Sequence, residues 1–187
     1  MAAELFAALV HHPVLDRHGR VVTAAVTSLD VHDLARSART YGVTATFVVH
    51  PTAQQRAFAR RLIGHWLDGP GRDFDGRRRE ALLRVEVLAT LAEARAAVKK
   101  QCGVDPTLVF TSARERRPAV GYDDLRRRLQ ASDARPALLL FGTGFGLAPA
   151  LVAEADLVLA PLCGIDDYNH LSVRAASAVI LDRLRGH

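Results

Sequence analysis

Short apolar runs punctuate the chain at residues 21–26, 45–49, 85–88, 108–111, 137–141 and 157–160, each bounded by polar or turn-forming residues. Their length and β-branched content predict strands, and their unbroken apolar character predicts strands buried on both faces, as in a parallel sheet. Between them apolar residues fall at helical spacing over 32–41, 53–67, 91–101, 123–131, 148–153 and from 171 to 184. Strand and helix therefore alternate from end to end. That alternation predicts an α/β fold, a mostly parallel sheet flanked by helices on both faces, in one domain over residues 1–187.

Local signals agree with this register. Asp30 is expected to cap the first helix, Gly42 to close it, and Pro51 with Thr52 to open the second. Trp66, Phe58 and Leu62 share a helical face and are expected in the core. The stretch DGPGRDFDGRRR at 68–79 reads as an exposed charged loop, and so does 112–122, which carries Arg114, Arg116 and Arg117. Arg77, Arg78 and Arg79, like Arg126, Arg127 and Arg128, are expected on solvated faces, with RNA phosphates as the functional option.

Composition narrows the class. The chain has 187 residues and is 49% hydrophobic, enough for a substantial core without disulfides or metals. No stretch approaches the roughly 18 apolar residues that span a bilayer, and the start lacks a basic segment before its apolar part. A cytosolic protein is expected. Cys102 and Cys163 form no CxxC pair, and no His or Cys cluster has zinc spacing, so no metal is expected. Lys plus Arg total 25 against 20 acids, a net +5 carried almost wholly by Arg. Guanidinium groups fork onto phosphate and stack on bases, so a polyanionic partner fits.

The chemistry-bearing segments lie late in the chain. In LLLFGTGFGLAPAL, residues 138–151, an apolar strand runs into Gly142, Gly144 and Gly146 and then a short helix. Such glycines let backbone N–H and C=O groups approach a ligand, or serve only a tight turn. One strand later, LAPLCGIDDYNHLSVRAASAVILDRL at 159–184 places a second glycine loop before a long helix beginning near Ser172. Loops after neighbouring parallel strands lie side by side at the carboxyl ends of a sheet, where open α/β folds bind ligands.

With these segments the sequence resembles the SPOUT (SpoU-TrmD) superfamily of knotted methyltransferases, in its tRNA (guanine-N1)-methyltransferase-like branch. TSLDVHDLARSARTYGV at 27–43 is similar to the family's first motif, with Asp30, Arg36, Tyr41 and Gly42 in its places. FGTGFGL is similar to its Gly-rich loop, and LCGIDDYNHLSVRAA to its last motif. The resemblance covers almost the whole chain. It implies a C-terminal deep trefoil knot, S-adenosylmethionine (SAM) as methyl donor, structured RNA (tRNA or rRNA) as substrate, and a homodimer whose last helix packs across the two-fold.

The resemblance also implies a site. The cofactor-binding set is Thr111, Ser112, Leu140, Phe141, Gly142, Thr143, Gly144, Gly146, Leu162, Gly164, Ile165, Tyr168, Asn169, His170, Leu171 and Ser172. Leu162, Ile165 and Leu171 are expected to sandwich the adenine. Arg36 is the candidate contact to the target nucleotide, or else a helical arginine paired with Asp33 at i, i+3. Asp30, Asp167, Asn169 and His170 complete the catalytic candidates; Asp30 serves equally as a cap, and Asn169 or His170 as the cap of the last helix. Asp166 and Asp167 orient a guanine, act as base, or are ordinary loop acids. The stretch Asp167 to His170 departs from the Asn-rich segment of the ribose-methylating branch, which favours base methylation over 2′-O transfer.

Two other readings remain at this point. The glycines at 142–146 suit a phosphate loop of a nucleotide enzyme, with Asp166 holding a ribose, but too little chain follows to complete a dinucleotide domain. A non-catalytic RNA-binding protein with the same fold is the other, although aromatics make up only 6% of the chain and no stacking platform is evident.

Overall fold

The central strand of the sheet is one that the apolar pattern did not single out. LFAALV, β1 (Leu5–Val10), is buried at every position. Its Leu and Ala residues lack the β-branched bias that marks a strand, so the run was indistinguishable from a helical or leading segment. The computed structural model describes residues 3–116, 118–166 and 168–186. After β1 come β2 (Val14–Leu15), β3 (Val21–Val22), α1 (Ser28–Thr40), β4 (Ala45–Val49), α2 (Ala53–Leu67), α3 (Gly76–Leu82) and β5 (Val85–Leu88). The second half adds α4 (Leu91–Cys102), β6 (Thr107–Phe110), α5 (Tyr122–Gln130), β7 (Ala137–Gly142), α6 (Pro149–Glu154), β8 (Leu157–Val158) and α7 (Val173–Arg185).

The main sheet runs in the order β5-β4-β1-β7-β6-β8, and every pairing in it is parallel. From β1 the chain steps outward to β4 and β5, returns across the sheet to β6, then inserts β7 between β6 and β1. The direction of winding therefore reverses beside β1, and loops leaving β1, β7 and β6 gather at the carboxyl edge there, where such sheets form ligand crevices.

Successive residues of β1 serve opposite faces. Leu5, Ala7 and Leu9 join Leu139 and Phe141 beneath Leu34 of α1, Leu125 of α5 and Ile180 of α7. Phe6, Ala8 and Val10 join Leu138 and Leu140 against Ala94 and Val98 of α4 and Leu151 of α6. A third cluster ties α1, α2 and α3 to Val48 and Val87 at the β5 edge. This two-sided burial is what the continuous apolar runs predict.

Two expectations are corrected. The run at 21–26 is not a strand of the sheet: only Val21–Val22 pairs, antiparallel to β2, and Val21 is 55% exposed. The stretch at 68–79 is not all loop: α3 begins at Gly76, with the Asp75 carboxylate accepting from Arg77 N and Arg78 N. That cap sits inside a Gly-Arg-Asp-rich run, and its composition masked it. Among the described residues no helix is long and apolar enough to cross a membrane.

Candidate functional site

The Gly-rich loop takes its shape from steric necessity. A Cβ at Gly142 would stand 2.7 Å from Leu147 N, and one at Gly144 would stand 2.9 Å from Leu15 O. Gly144 and Gly146 also hold φ of 61° and 101°, where side chains are disfavoured. The short hairpin braces this turn. Phe145 N–H donates to Leu15 O at 3.0 Å, and Leu15 N–H donates to Gly146 O at 2.9 Å. The Thr143 hydroxyl donates to Val10 O at the end of β1.

Two more loops complete the crevice. After β6 the Thr111 hydroxyl donates to Leu140 O at 2.7 Å, and Asn169 Nδ2 donates across to Ala113 O at 3.0 Å, joining the loop after β6 to the one before α7. Within the latter, Tyr168 N–H donates to Asp166 Oδ1, and a Cβ at Gly164 would lie 2.7 Å from Tyr168 O. The result is a cavity of about 600 Å³ at the carboxyl ends of β6 and β7. That size suits a cofactor, for which clefts of roughly 300–1,000 Å³ are usual.

Thr111, Ser112, Phe141, Gly142, Thr143, Gly144, Gly146, Leu162, Asn169, His170, Leu171 and Ser172 line the cavity. Leu140 does not, because it faces the opposite side of the sheet beside Phe110. Gly164 shapes its loop without lining the cavity. Ile165 is fully exposed and Tyr168 is 75% exposed, so Ile165 does not sandwich a ring within this chain. Val173, Ala176 and Ile180 of α7 line it instead. Their i, i+3, i+7 spacing was readable as a helical face, but nothing in the sequence aimed that face at the glycines. Arg114, at the start of the Arg-rich loop after β6, lines it too, and Phe145 is a further lining residue that the sequence reading passed over.

Asp30 also lines the cavity, but it is not the cap of α1. Thr27 is: its oxygen accepts from Asp30 N–H at 3.2 Å, and its hydroxyl donates to Asp30 Oδ2 at 2.6 Å. The helix begins earlier than predicted, which moves Asp30 into the first turn. Its Oδ1 is 3.5 Å from Arg174 on α7, and Arg174 also lies 3.5 Å from Asp33. Asp33 thus pairs with Arg174, not with Arg36. Arg36 does not line the cavity; it is exposed on another side of α1, where its charge acts on His32 and Asp75. Neither Asn169 nor His170 caps α7, since the Ser172 hydroxyl does so by accepting from Ala175 N. Asp167 and Arg117 lie outside the described residues.

Two histidines at the strand ends were missed. His50 Nδ1 accepts from Thr52 N–H, which fixes Nε2 as the protonated nitrogen, donating to Ala24 O at 3.0 Å. His11, fully buried after β1, has its ring 5.5 Å from that of His50, and neither ring nitrogen has a well-formed hydrogen bond. Burial first, then the neighbouring His50, push its pKa down to about 4; the Asp30 charge and the Ala24 and Ala25 carbonyls oppose this only in part. Among the described residues no group of three His, Cys, Asp or Glu comes together to hold a metal.

Comparison with known proteins places this geometry. A tRNA (guanine-N(1)-)-methyltransferase of Oleidesulfovibrio alaskensis is 40% identical over 182 residues, 97% of this chain but 42% of that protein. The chain therefore spans less than half of that relative. An uncharacterized protein of Aquifex aeolicus is 41% identical over 180 residues, covering 96% of this chain and 87% of its own. Among solved structures, TrmJ from Z. mobilis superposes with a TM-score of 0.63 at 16% identity over 100% of this chain and 70% of that one, a likeness of fold. The family model for SAM-dependent RNA methyltransferases matches residues 4–186, and with the glycine-lined crevice at the switch point the chain belongs to that family.

Proposed function

We propose that the chain transfers a methyl group from SAM to a base of a structured RNA, with guanine N1 of tRNA as the favoured acceptor, acting in the cytosol as one domain and as a homodimer. The cavity of about 600 Å³ between the loops after β6, after β7 and before α7 carries this reading. Its wall combines backbone groups at Thr111, Gly142 and Gly144 with the apolar Phe141, Leu162 and Ile180, a lining that fits an adenine ring and its amino-acid tail. SAM supplies an activated methyl carbon on a sulfonium, so the protein needs to align the acceptor and receive its proton. Asp30 is the carboxylate in the wall. It takes the proton of a base N–H as the methyl carbon bonds to that nitrogen, and Arg174 holds the carboxylate in place. Asn169 and His170 orient the base from the facing loop.

The homodimer reading is supported by Arg36. Its side of α1 faces away from the cavity of its own chain, so a second copy is the natural route for Arg36 to a target nucleotide. A C-terminal knot belongs to the same reading: α7 packs on α1 while the loop before it crosses to Ala113. The tRNA acceptor is named from a relative more than twice as long, and so it requires a direct assay.

Titration of the purified chain with S-adenosylhomocysteine, with NAD in parallel, tests the donor. Micromolar binding of the former alone is expected; preference for NAD, or binding of neither, ends the methyltransferase reading. Digestion of tRNA incubated with protein and SAM, followed by nucleoside mass spectrometry, tests the acceptor. 1-Methylguanosine is expected, and a 2′-O-methylated nucleoside would replace base transfer with ribose transfer.

A further inference from the structure

We infer that a ring-and-arginine patch on α1, α2 and α3, outside the cavity, is a stacking platform for an unpaired base of the RNA. The inference rests on the RNA-methyltransferase reading and deepens it by placing part of the substrate. Its centre is Trp66, which the pattern of the sequence assigned to the core but which is only half-buried. The Arg78 guanidinium lies 4.4 Å from the centre of the Trp66 ring, and the His32 and His65 rings meet it edge-on at 5.6 and 5.2 Å. Phe74 stands 6.4 Å from Trp66 and is 84% exposed.

A lone exposed apolar side chain calls for no explanation. Phe74 is different because an ordered turn holds it out. Gly71 N–H donates to His65 O, Arg72 N–H to Gly69 O, and Phe74 N–H to Gly71 O. Gly71 itself packs flat on the rings, since a Cβ there would fall 2.9 Å from both His65 and Trp66. The loop is thus built against Trp66 and presents an open ring face beyond it. Aromatic faces stack any base, and guanidinium groups beside them track the backbone phosphates.

The charge around the rings suits RNA. Arg72 and Arg77 are exposed at the rim, and Arg36 reaches the same side of α1. The nearby acids are mostly engaged: Asp75 caps α3 and lies 3.6 Å from Arg78, and Asp73 lies 3.9 Å from Arg72. Helix α1 carries both Asp30 of the cavity wall and His32 of the patch.

The chain contains a single tryptophan, so Trp66 fluorescence reports on this surface alone. Titration of the intact chain with single-stranded oligoadenylate is expected to quench it saturably, and an RNA duplex of equal length is expected to quench it far less. Phe74→Ala removes an exposed ring, so the fold should survive; it should weaken oligoadenylate and tRNA binding about tenfold or more while leaving S-adenosylhomocysteine affinity unchanged. Arg77→Ala should weaken all RNAs alike and lower the salt slope of binding by about one. RNA affinity unchanged by Phe74→Ala, or no quenching by RNA in the unaltered chain, would overturn the platform while leaving cofactor binding to stand or fall on its own titration. Loss of a dimer in Phe74→Ala, seen by light scattering, would reassign the patch to a subunit interface and equally overturn it.

Discussion

At Gly142 the neighbour that an added methyl group would strike is backbone nitrogen, 2.7 Å away, with Leu147 Cγ at the same distance. Backbone cannot rotate aside as a side-chain tip can, so Gly142→Ala must push the 143–147 turn off its rungs to Leu15. Such overpacking costs about 1–3 kcal/mol, and because the displaced turn is cavity wall, S-adenosylhomocysteine affinity should fall at least tenfold in calorimetry. Gly76→Ala is the control: an added Cβ there meets nothing within 4 Å, and stability and affinity should stay unchanged. A Gly142→Ala variant that keeps its stability and affinity as Gly76→Ala does would mean that the loop tolerates the methyl group and that its glycines are not a steric requirement. The same scale shows what the sequence could reveal of the site. Glycines and a Thr-Ser pair after strands are visible as residue types, and those at 111–112 and 142–146 do meet at the cavity. The orientation of a side chain about its own element is not visible, which is why Ile165 and Leu140 fall outside and Ile180 falls inside.

The seam between α1 and α7 sets where Asp30 sits. Thr27 fixes the first turn of α1, Ser172 fixes that of α7, and Arg174 bridges the two by reaching both Asp30 and Asp33. Both contacts are long, 3.5 Å, so the bridge matters more for geometry than for stability. If Arg174 acts by placing Asp30, its removal cannot hurt an enzyme that already lacks Asp30. Asp30→Asn should lower the methyl-transfer rate constant about 100-fold, in the range usual for general-base loss, and Arg174→Gln about tenfold through misplacement. The double variant should be no slower than Asp30→Asn, with S-adenosylhomocysteine affinity held in all three. Multiplying effects would show instead that Arg174 works independently. At this scale helices were read from sequence more securely than strands, because a periodic face extends over many residues. The central strand β1 and the short helix α3 escaped, the first for its Ala-Leu composition and the second for its charge. The valine-rich run at 21–26 looks like a sheet strand by composition, whereas only Val21–Val22 pair, closing a small hairpin with β2.

For the whole molecule, the buried histidines make stability depend on pH above the range in which Asp16, Asp75 and Asp105 lose their contribution. His11 is fully buried with a pKa near 4, against an ordinary value of 6.5. Below 6.5 the unfolded chain takes up a proton at this position that the folded chain refuses, so folding weakens steadily down to about pH 4 and no further, since beneath that both states carry the proton. Over that window the loss reaches about 3 kcal/mol, or on the order of 6–12 °C in Tm for a chain of this size. His50 and His32 are displaced in the same direction by burial and add to the slope. Asp16, Asp75 and Asp105, held low by hydrogen bonds and ion pairs, contribute stability above their unfolded pKa that is lost only as pH falls through their folded values, beneath the histidine window. Urea midpoints measured from pH 7.5 to 4.5 should therefore fall in the unaltered chain. In His11→Leu, which binds no proton at that position, the slope should shrink markedly but persist through His50. An identical slope in the variant would mean that His11 reaches water or rearranges on protonation, and that His11 has no part in the acid sensitivity of the fold.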